Sequence, residues 1–195
     1  SFYALDHAAN RLHEELQQAG ILPLRQGGAT RTQLLDRFRT HPNSVLFATD
    51  SFWEGVDVAG QALQCLILPR LPFRVPTEPI QQARAEAIEA AGGNPFMEYS
   101  VPQAVIKFRQ GFGRLIRRRS DRGAVVVLDR RVATKRYGKV FIESLPDIRV
   151  VKGPERGAWL ALARFFDSDA EEAPPQGTEG VSARATAGAD DPPWD

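Results

Sequence analysis

The residues with the clearest chemistry lie in one basic run, "FRQGFGRLIRRRSDRG", at positions 108–123. It contains six arginines and three glycines, and no acidic residue in it precedes Asp121. Arginine carries a planar fork of donors that stays charged and pairs with two phosphate oxygens at once. The run is therefore suited to bind phosphate, on a nucleotide or along a nucleic acid, and a solvated basic face is the alternative.

The spacing of this run predicts that part of it lies on one side of a helix. At about 100° per residue, three residues fall within roughly 60° of Gln110. The resulting set, called here the polar stripe, consists of Gln110, Gly113, Arg114 and Arg117. The large apolar side chains fall on the opposite side: Val105, Phe108, Phe112, Leu115 and Ile116. We predict a helix over residues 102–118, capped by Ser100, that buries its apolar side and turns the polar stripe outward.

The glycine of the stripe and the arginines around it carry less specific signals. Glycine in the middle of a helix costs roughly 0.5–1 kcal/mol relative to alanine, so Gly113 predicts a close approach by another group. Arg118, Arg119 and Arg122 are weaker candidates, either as surface charge or as contacts to the backbone of a nucleic acid.

A second polar set follows the apolar run "SVLFATD" at 44–50, which predicts a buried strand. The loop after it contains Glu54, Gly55 and Asp57. Open α/β folds bind ligands at such strand ends. A carboxylate there can accept a hydrogen bond from a ribose hydroxyl or orient an arginine, and a turn with surface charges is the alternative.

Two aromatic residues, Phe52 and Trp53, begin the same loop. Exposed rings beside basic groups suit stacking on nucleic-acid bases, which is worth about 1–3 kcal/mol per base. For each ring, a place in a small core under the loop is an equal alternative.

The order of the other predicted elements indicates an α/β fold with a mostly parallel sheet flanked by helices. Helices are predicted at 4–19, ended by Gly20; at 31–40, capped by Thr30; and from Pro79 to Gly92-Gly93. The first helix has apolar residues four apart, at Ala4, Ala8, Leu12 and Leu16. Apolar runs predict further strands at 63–69, 123–131 and 139–146.

The charge of the 195-residue chain is unevenly distributed. From Asp167 to Asp195 there are eight acidic residues and one arginine, a net charge of −7, whereas the rest holds 24 basic and 16 acidic residues, a net of +8. A basic body favours an anionic partner, with an uneven but ordinary soluble surface as the alternative. We predict a domain at 1–150, a helix at 151–167 and a disordered acidic tail at 168–195. The tip of the tail, "DDPPWD", is either a docking motif for a protein partner or only a tail.

Several classes of protein are excluded by composition. The lone Cys65 lies in an apolar run, where we expect it to pack as a small hydrophobic residue. One cysteine builds no disulfide framework, zinc site or iron–sulfur cluster, and no metal-ligand set is predicted. No apolar run approaches the roughly 20 residues of a membrane span, and residues 1–10 lack the features of a signal peptide. We therefore expect a cytoplasmic protein with no membrane partner.

Taken together, the motifs resemble those of a known family. "QGFGRLIR" matches the sixth helicase motif, Q-x-x-G-R-x-x-R, and "SFWEGVDVAG" matches the fifth. "LPRLPFRVPTEP" matches a segment, K/R-L-P-F-x-x-P-x-x-P, that is typical of one branch, and "SFYALDHAANRL" is similar to the end of the fourth motif. Over residues 1 to about 145, the chain thus resembles the second motor domain of a superfamily 2 DNA helicase, in the DinG branch of the DinG/XPD-like family.

This resemblance implies a RecA-like motor domain at 1–150, whose first strand would lie before Ser1, and ATP-driven 5′-to-3′ unwinding. The fifth and sixth motifs of such enzymes close over ATP bound to the first motor domain. The implied catalytic residues are Arg117, the arginine finger, with Arg114 beside it and Gln110 ordering the site. Those implied near the nucleotide are Gly113, Asp57, Gly55 and Glu54. Those implied to contact single-stranded DNA are Ser51, Phe52, Trp53 and Arg70. A finger of this kind can be worth about 10³–10⁵ in rate.

Other parts of such a motor are missing from the sequence. There is no G-x-x-x-x-G-K-[ST] run and no D-E-x-H pair. We therefore expect ATP and Mg²⁺ to be bound mainly by an N-terminal motor domain outside this chain, and the chain alone to be inactive. A non-catalytic nucleic-acid-binding module is the rival interpretation, which the intact spacing of Gln110, Arg114 and Arg117 disfavours. An iron–sulfur cluster or a nuclease domain elsewhere in a longer protein stays open.

Overall fold

Strands and helices alternate along the chain, which confirms the predicted α/β class. The structure is a computed structural model that describes residues 2–53, 62–74, 79–116, 121–146 and 148–172. The helices are α1 (Phe2–Gln18), α2 (Arg31–Thr40), α3 (Pro79–Ala90), α4 (Val101–Leu115), α5 (Arg131–Thr134), α6 (Gly138–Glu143) and α7 (Glu155–Glu172). The strands are β1 (Leu22–Arg25), β2 (Ser44–Phe47), β3 (Cys65–Leu68) and β4 (Ala124–Val127). A 3₁₀ turn (Asp50–Trp53) follows β2, and a π-helix (Phe96–Ser100) precedes α4.

The described strands form two parallel pairs. Strand β1 pairs with β2, with Leu22 opposite Ser44, and β3 pairs with β4, with Cys65 opposite Ala124. Because parallel strands end at the same edge, the loops after β1 and β2 emerge together, as do those after β3 and β4. Three predicted strands are confirmed in shortened form. Strand β1 was not predicted, because its four residues include Pro23, which argues against a strand.

The end of α1 and the start of α2 follow their predicted capping signals. The backbone at Gly20 has φ 71°, which favours glycine, and ends α1. The N–H of Gly20 donates to the carbonyl of Gln17 at 3.0 Å, and that of Ile21 donates to Leu16 at 2.8 Å. At the start of α2, the Thr30 hydroxyl accepts from the Gln33 N–H, and the Gln33 side chain accepts from the Thr30 N–H. These ends are therefore fixed by bonds within a few residues of each other.

The buried face of α1 differs from the predicted one by one residue. Leu5 and Ala9 are buried, whereas Leu12 is 39% exposed and Ala4 is exposed. The helix packs against β1, and the rotation that buries Leu5 removes more apolar surface from water than one that buries Ala4. The prediction of a helix was correct, whereas of the four residues predicted for its apolar face Ala4 and Leu12 are exposed and Ala8 and Leu16 are half-buried.

The predicted strand at 139–146 is wrong, because these residues contribute to α6. Gly138 and Phe141 are buried three residues apart, which is helical spacing. Phe141 is 0% exposed and packs edge-on against the rings of Phe73 and Phe108. A Cβ atom at Gly138 would overlap the backbone of α5 at Val132, so the start of α6 needs a glycine to lie this close.

Helix α4 differs from prediction at both ends. Ser100 has helical backbone angles and makes no side-chain cap, because the π-helix leads directly into α4 and the Val101 N–H donates to the Phe96 carbonyl. The helix ends at Leu115, since Ile116 is extended, with φ −117° and ψ 108°. The predicted extension to residue 118 is therefore wrong.

Two groups of buried apolar side chains stabilise residues 2–150. The first core cluster lies around β1, α2 and the 3₁₀ turn and contains Leu24, Leu34, Leu35, Phe38 and Phe52. The second core cluster lies around α4 and α6 and contains Leu68, Leu71, Val101, Ala104, Val105, Phe108 and Phe141. Burying one large apolar side chain contributes about 1.5–3 kcal/mol, so both clusters matter to stability.

The chain divides into two units, residues 1–150 and 151–195. In the second unit, α7 runs from Glu155 to Glu172. Near its start, the Trp159 indole N–H donates to the Glu155 carboxylate. Residues 168–172, predicted as the beginning of the disordered tail, are thus helical, because the first proline that could stop the helix is Pro174. The remaining tail lies outside the described residues. Within the described ranges, no helix has the length and apolar character needed to cross a bilayer.

Candidate functional site

The polar stripe lies on the solvent side of α4 as far as the helix extends. Gln110 and Gly113 are exposed and Arg114 is half-buried. On the opposite side, Val105, Phe108 and Leu115 are buried, and Phe112 and Ile116 are half-buried. Because α4 ends at Leu115, helical geometry no longer gives the direction of Arg117, which lies outside the described residues.

No contact with the described residues explains why a glycine occupies position 113. No described atom lies within 4 Å of the position that a Cβ at Gly113 would occupy. The close approach expected at this residue therefore stays a prediction about a group other than the described residues.

The same side of α4 carries a cation that the sequence analysis did not select. Lys107 lies one turn before Gln110 and two turns before Arg114, and its Nζ forms an ion pair with the Oδ2 of Asp50. The Lys107 side chain is only 14% exposed. Asp50 is the first residue of the 3₁₀ turn. Helix α4 is thus bonded directly to the residue that precedes "SFWEGVDVAG".

A second cation holds the other end of the 3₁₀ turn. Arg31, the first residue of α2, donates to the carbonyl of Phe52 at 3.2 Å and to that of Ser51 at 3.5 Å. Its guanidinium carbon also lies 5.2 Å from the centre of the Phe52 ring. Carbonyls at the end of a helical turn lack partners within the turn, so a cation there satisfies them.

The loops that follow β1 and β2 are bonded to each other. The side-chain oxygen of Gln26 accepts from the Thr49 N–H at 2.8 Å and from the Thr49 hydroxyl at 3.0 Å. The hydroxyls of Thr49 and Ser51 are 2.7 Å apart. A cleft of about 270 Å³, called here the strand-edge cleft, is lined by Gln26, Gly27, Ala29, Arg31, Leu34, Ser51 and Phe52. It offers an amide, a hydroxyl and a guanidinium at the carboxyl ends of two parallel strands.

The residues implied to contact DNA have different environments. Ser51 and Arg70 are exposed. Phe52 is 8% exposed in the first core cluster and is covered by Arg31, which favours the alternative of a core ring over base stacking. Trp53 ends the 3₁₀ turn, and its side chain is outside the described part of the structure. Glu54, Gly55 and Asp57 also lie outside the described residues.

Asp129 forms a further polar site that the sequence analysis missed. Its carboxylate, 8% exposed, accepts from the Leu71 N–H at 2.9 Å, from the Arg131 N–H at 3.0 Å and from the Arg131 guanidinium at 2.6 Å. The hydrogen bond from Arg131 is the largest cause that lowers the pKa of Asp129 to about 2. The same bond raises the pKa of Arg131.

The Asp129 site fixes the "LPRLPF" segment beside the loop that follows β4. The Arg131 guanidinium carbon lies 5.3 Å from the centre of the Phe73 ring. That ring packs in turn against Phe96 and Tyr137, with ring centres 5.5 Å and 5.7 Å away. The segment that contains Arg70 is thus held by Asp129 at Leu71 and by Arg131 at Phe73. The sequence shows no sign of this contact, because "VLDRR" indicates only the end of a strand.

Metal-binding and cysteine chemistry have little support in the described residues. No three His, Cys, Asp or Glu side chains converge there as metal ligands. Cys65 is half-buried on β3, and burial raises the pKa of its thiol. A raised pKa keeps the thiol protonated and unreactive, as expected of a cysteine that packs as a small hydrophobic residue.

Comparison with known proteins gives a consistent set of matches. The family model of the helicase C-terminal domain matches residues 1–148. The ATP-dependent DNA helicase YoaA of Haemophilus influenzae is 48% identical over 124 residues, covering 64% of this chain and 19% of that protein. YoaA of Escherichia coli is 46% identical over 142 residues, covering 72% of this chain and 22% of that protein.

A relative that is named for a different activity covers a similar share of the chain. The 3′-5′ exonuclease DinG of Bacillus subtilis is 41% identical over 146 residues, covering 72% of this chain and 16% of that protein. The chain thus spans about a fifth of the length of these curated relatives.

Proposed function

The chain belongs to the family of DinG-like helicase C-terminal domains, and from this premise we propose that it is the second motor domain of an ATP-dependent DNA helicase that moves 5′ to 3′ on single-stranded DNA. The observation that carries the proposal is the side of α4 that faces solvent. It presents Gln110 and Arg114 at the spacing of the sixth motif, opposite an apolar side on which Phe108 and Leu115 are buried. A domain that only bound nucleic acid would not need this spacing.

On the nucleotide side, the chain supplies cations to phosphates held mainly by the first motor domain. Arg117 is proposed as the arginine finger, with Arg114 beside it and Gln110 ordering the site. Each guanidinium stabilises negative charge on the phosphoryl group in transfer, which preorganised donors do at little reorganisation cost. Mg²⁺ bound with ATP would neutralise further phosphate charge, and its ligands are proposed to lie in the first motor domain.

On the DNA side, the exposed groups at the strand ends are proposed to contact the sugar–phosphate backbone. Ser51 lines the strand-edge cleft, and the exposed Arg70 lies in the segment anchored by Asp129. The loop with Glu54, Gly55 and Asp57 is proposed to lie between the two sides. We propose that this loop lies near the nucleotide sugar and couples nucleotide state to DNA contact.

The test separates two arginines of the same basic run. In the complete enzyme, with this chain joined to its first motor domain, Arg117→Ala should lower ATP turnover by about 10³–10⁵ and leave single-strand binding nearly unchanged. Arg117→Lys should also fail, because a point charge lacks the planar fork. Arg119 lies outside the motif spacing, so Arg119→Ala is the matched control. It should weaken DNA binding and leave ATP turnover at saturating DNA nearly normal.

Two outcomes would contradict the proposal. Equal loss of ATP turnover in the Arg117 and Arg119 variants would make the basic run a general nucleic-acid patch. ATP turnover above background in the purified 195-residue chain would mean that the active site is not divided between two motor domains.

A further inference from the structure

We propose that Lys107 is a positioning residue that couples the nucleotide-facing side of α4 to the DNA-facing loop after β2, through its ion pair with Asp50. The proposal rests on the proposed function above and names a link that the helicase motifs themselves do not contain. Neither side chain is proposed to touch ATP or DNA.

The first step concerns the end of the link on α4. Lys107 precedes Gln110 by three residues and Arg114 by seven, so all three lie on one side of the helix. The opposite side is packed, with Val101, Ala104 and Phe108 at most 3% exposed. Because α4 is a continuous hydrogen-bonded helix packed on one side, we expect it to move as a rigid body. A displacement of Arg114 would then also displace Lys107.

The second step concerns the end of the link on the 3₁₀ turn. Asp50 lies between Thr49 and Ser51, whose hydroxyls are in contact, and Gln26 holds Thr49. Arg31 holds the carbonyls of Ser51 and Phe52 at the other end of the turn. A turn held at three points transmits a movement of one point to the others. We therefore expect a shift of Asp50 to move Ser51, which lines the strand-edge cleft.

The third step concerns which parts of the domain the ion pair joins. The 3₁₀ turn belongs with β1, β2 and α2 in the first core cluster, because Phe52 is part of that cluster. Helix α4 contributes Val101, Ala104, Val105 and Phe108 to the second core cluster. The Lys107–Asp50 pair thus bridges the elements of two separately packed cores, one on each side of the proposed coupling.

The burial of Lys107 distinguishes this pair from ordinary surface ion pairs. Exposed pairs are screened and contribute little, whereas removing one partner of a buried pair leaves a charge without compensation. Lys107 is 14% exposed and Asp50 is 46% exposed, so the lysine end is the desolvated one. The pair Arg39–Asp36 on α2, 42% and 61% exposed, provides a matched control of the surface type.

The experiment compares ATP turnover of the complete enzyme with and without single-stranded DNA. Lys107→Met keeps the apolar stem and removes the charge, and Asp50→Asn keeps the shape of its side chain. In each variant the stimulated rate should fall more than the basal rate, so that their ratio drops about tenfold, a typical size for coupling between sites. The double variant should lose no more than either single one. The control Asp36→Asn should keep the wild-type ratio.

A merely structural role predicts different results. Equal loss of basal and stimulated rates in the variants, or retention of the wild-type ratio, would overturn the coupling role. A double-mutant cycle on the urea midpoint of the 195-residue chain adds a readout without activity, and additive effects of the two substitutions would also overturn it. A wild-type enzyme without DNA stimulation would instead overturn the proposed function, and the coupling role with it.

Discussion

The carboxylate of Asp129 accepts hydrogen bonds from two separate stretches of chain and so holds them together. It accepts from the backbone of Leu71, which follows β3, and from the backbone and side chain of Arg131, which follows β4. These donors favour the ionised form, and the pKa of Asp129 accordingly falls to about 2 from the ordinary value of 3.8. One acidic side chain therefore positions the segment from which Arg70 projects.

This shift makes the stability of the chain depend on pH in a defined window. Because the folded state lowers the pKa, the contribution of Asp129 to the free energy of unfolding is fully present above about pH 4. It is lost as pH falls through about 2, and amounts to about 2 kcal/mol. Urea unfolding of wild type and Asp129→Asn should differ by about that amount at pH 7, with the difference shrinking toward pH 2.5. A difference that stays constant over this range would show that the carboxylate charge is not what stabilises the fold.

The residues of the candidate site differ in how far sequence could place them. Gln110 and Arg114 were placed on the solvent side of α4 by spacing alone, because helical periodicity is local. Lys107 shares that spacing, but its partner Asp50 lies on a different element, and only tertiary packing brings the two together. Phe52 was ambiguous for the same reason, since burial under Arg31 is decided by α2 and not by the loop.

Helices show the same division between local and tertiary causes at the scale of elements. Thr30 and Gln33 cap α2 through bonds spanning three residues, and Gly20 ends α1 in the same manner, so these ends could be predicted. The residues "KVFIE" of α6 contain a continuous apolar run, as a short buried strand does, and the helix forms because Gly138 lets the chain approach α5 closely. Likewise, α4 ends at Leu115 although the sequence pattern continues beyond it.

Two glycine substitutions should therefore have opposite effects. In Gly138→Ala, the new Cβ would meet the backbone carbonyl oxygens of Val132 and Arg131, and we expect a loss of about 1–3 kcal/mol in the free energy of unfolding. In Gly113→Ala, no described atom is near, and we expect a gain of roughly 0.5–1 kcal/mol from helix propensity. Urea denaturation of the 195-residue chain measures both. Equal stability of the two variants would mean that α5 and α6 do not pack as closely as described.

At the scale of the whole molecule, charge is separated along the chain. The residues before Asp167 carry a net charge of +8, and those from Asp167 onward carry −7. Because α7 runs to Glu172, four of the acidic residues in the second group lie on or next to that helix, at Asp167, Asp169, Glu171 and Glu172. The remaining acidic residues follow the helix and can be removed without cutting it.

Removing residues 173–195 should tighten binding of single-stranded DNA by the chain. The segment contains four acidic residues and one arginine, which compete with phosphate for the basic body. Binding should weaken steeply with salt in both forms, because counterions are released on association, and the difference between the forms should vanish at high salt. Fluorescence anisotropy with an oligonucleotide at several salt concentrations measures this. Replacing the four acids by amides is the matched control, and an affinity independent of salt would contradict the electrostatic account.

The two strand pairs also differ in the length of chain that each must close into a ring. The β1–β2 pair joins residues on either side of α2, whereas β3–β4 encloses α3, the π-helix and α4, between Leu68 and Ala124. A roughly threefold longer loop costs only about 1 kcal/mol more in closure entropy. The second core cluster contains seven buried residues and the first contains five. A single additional buried large apolar side chain, worth about 1.5–3 kcal/mol, therefore offsets the whole entropic difference between closing the two loops.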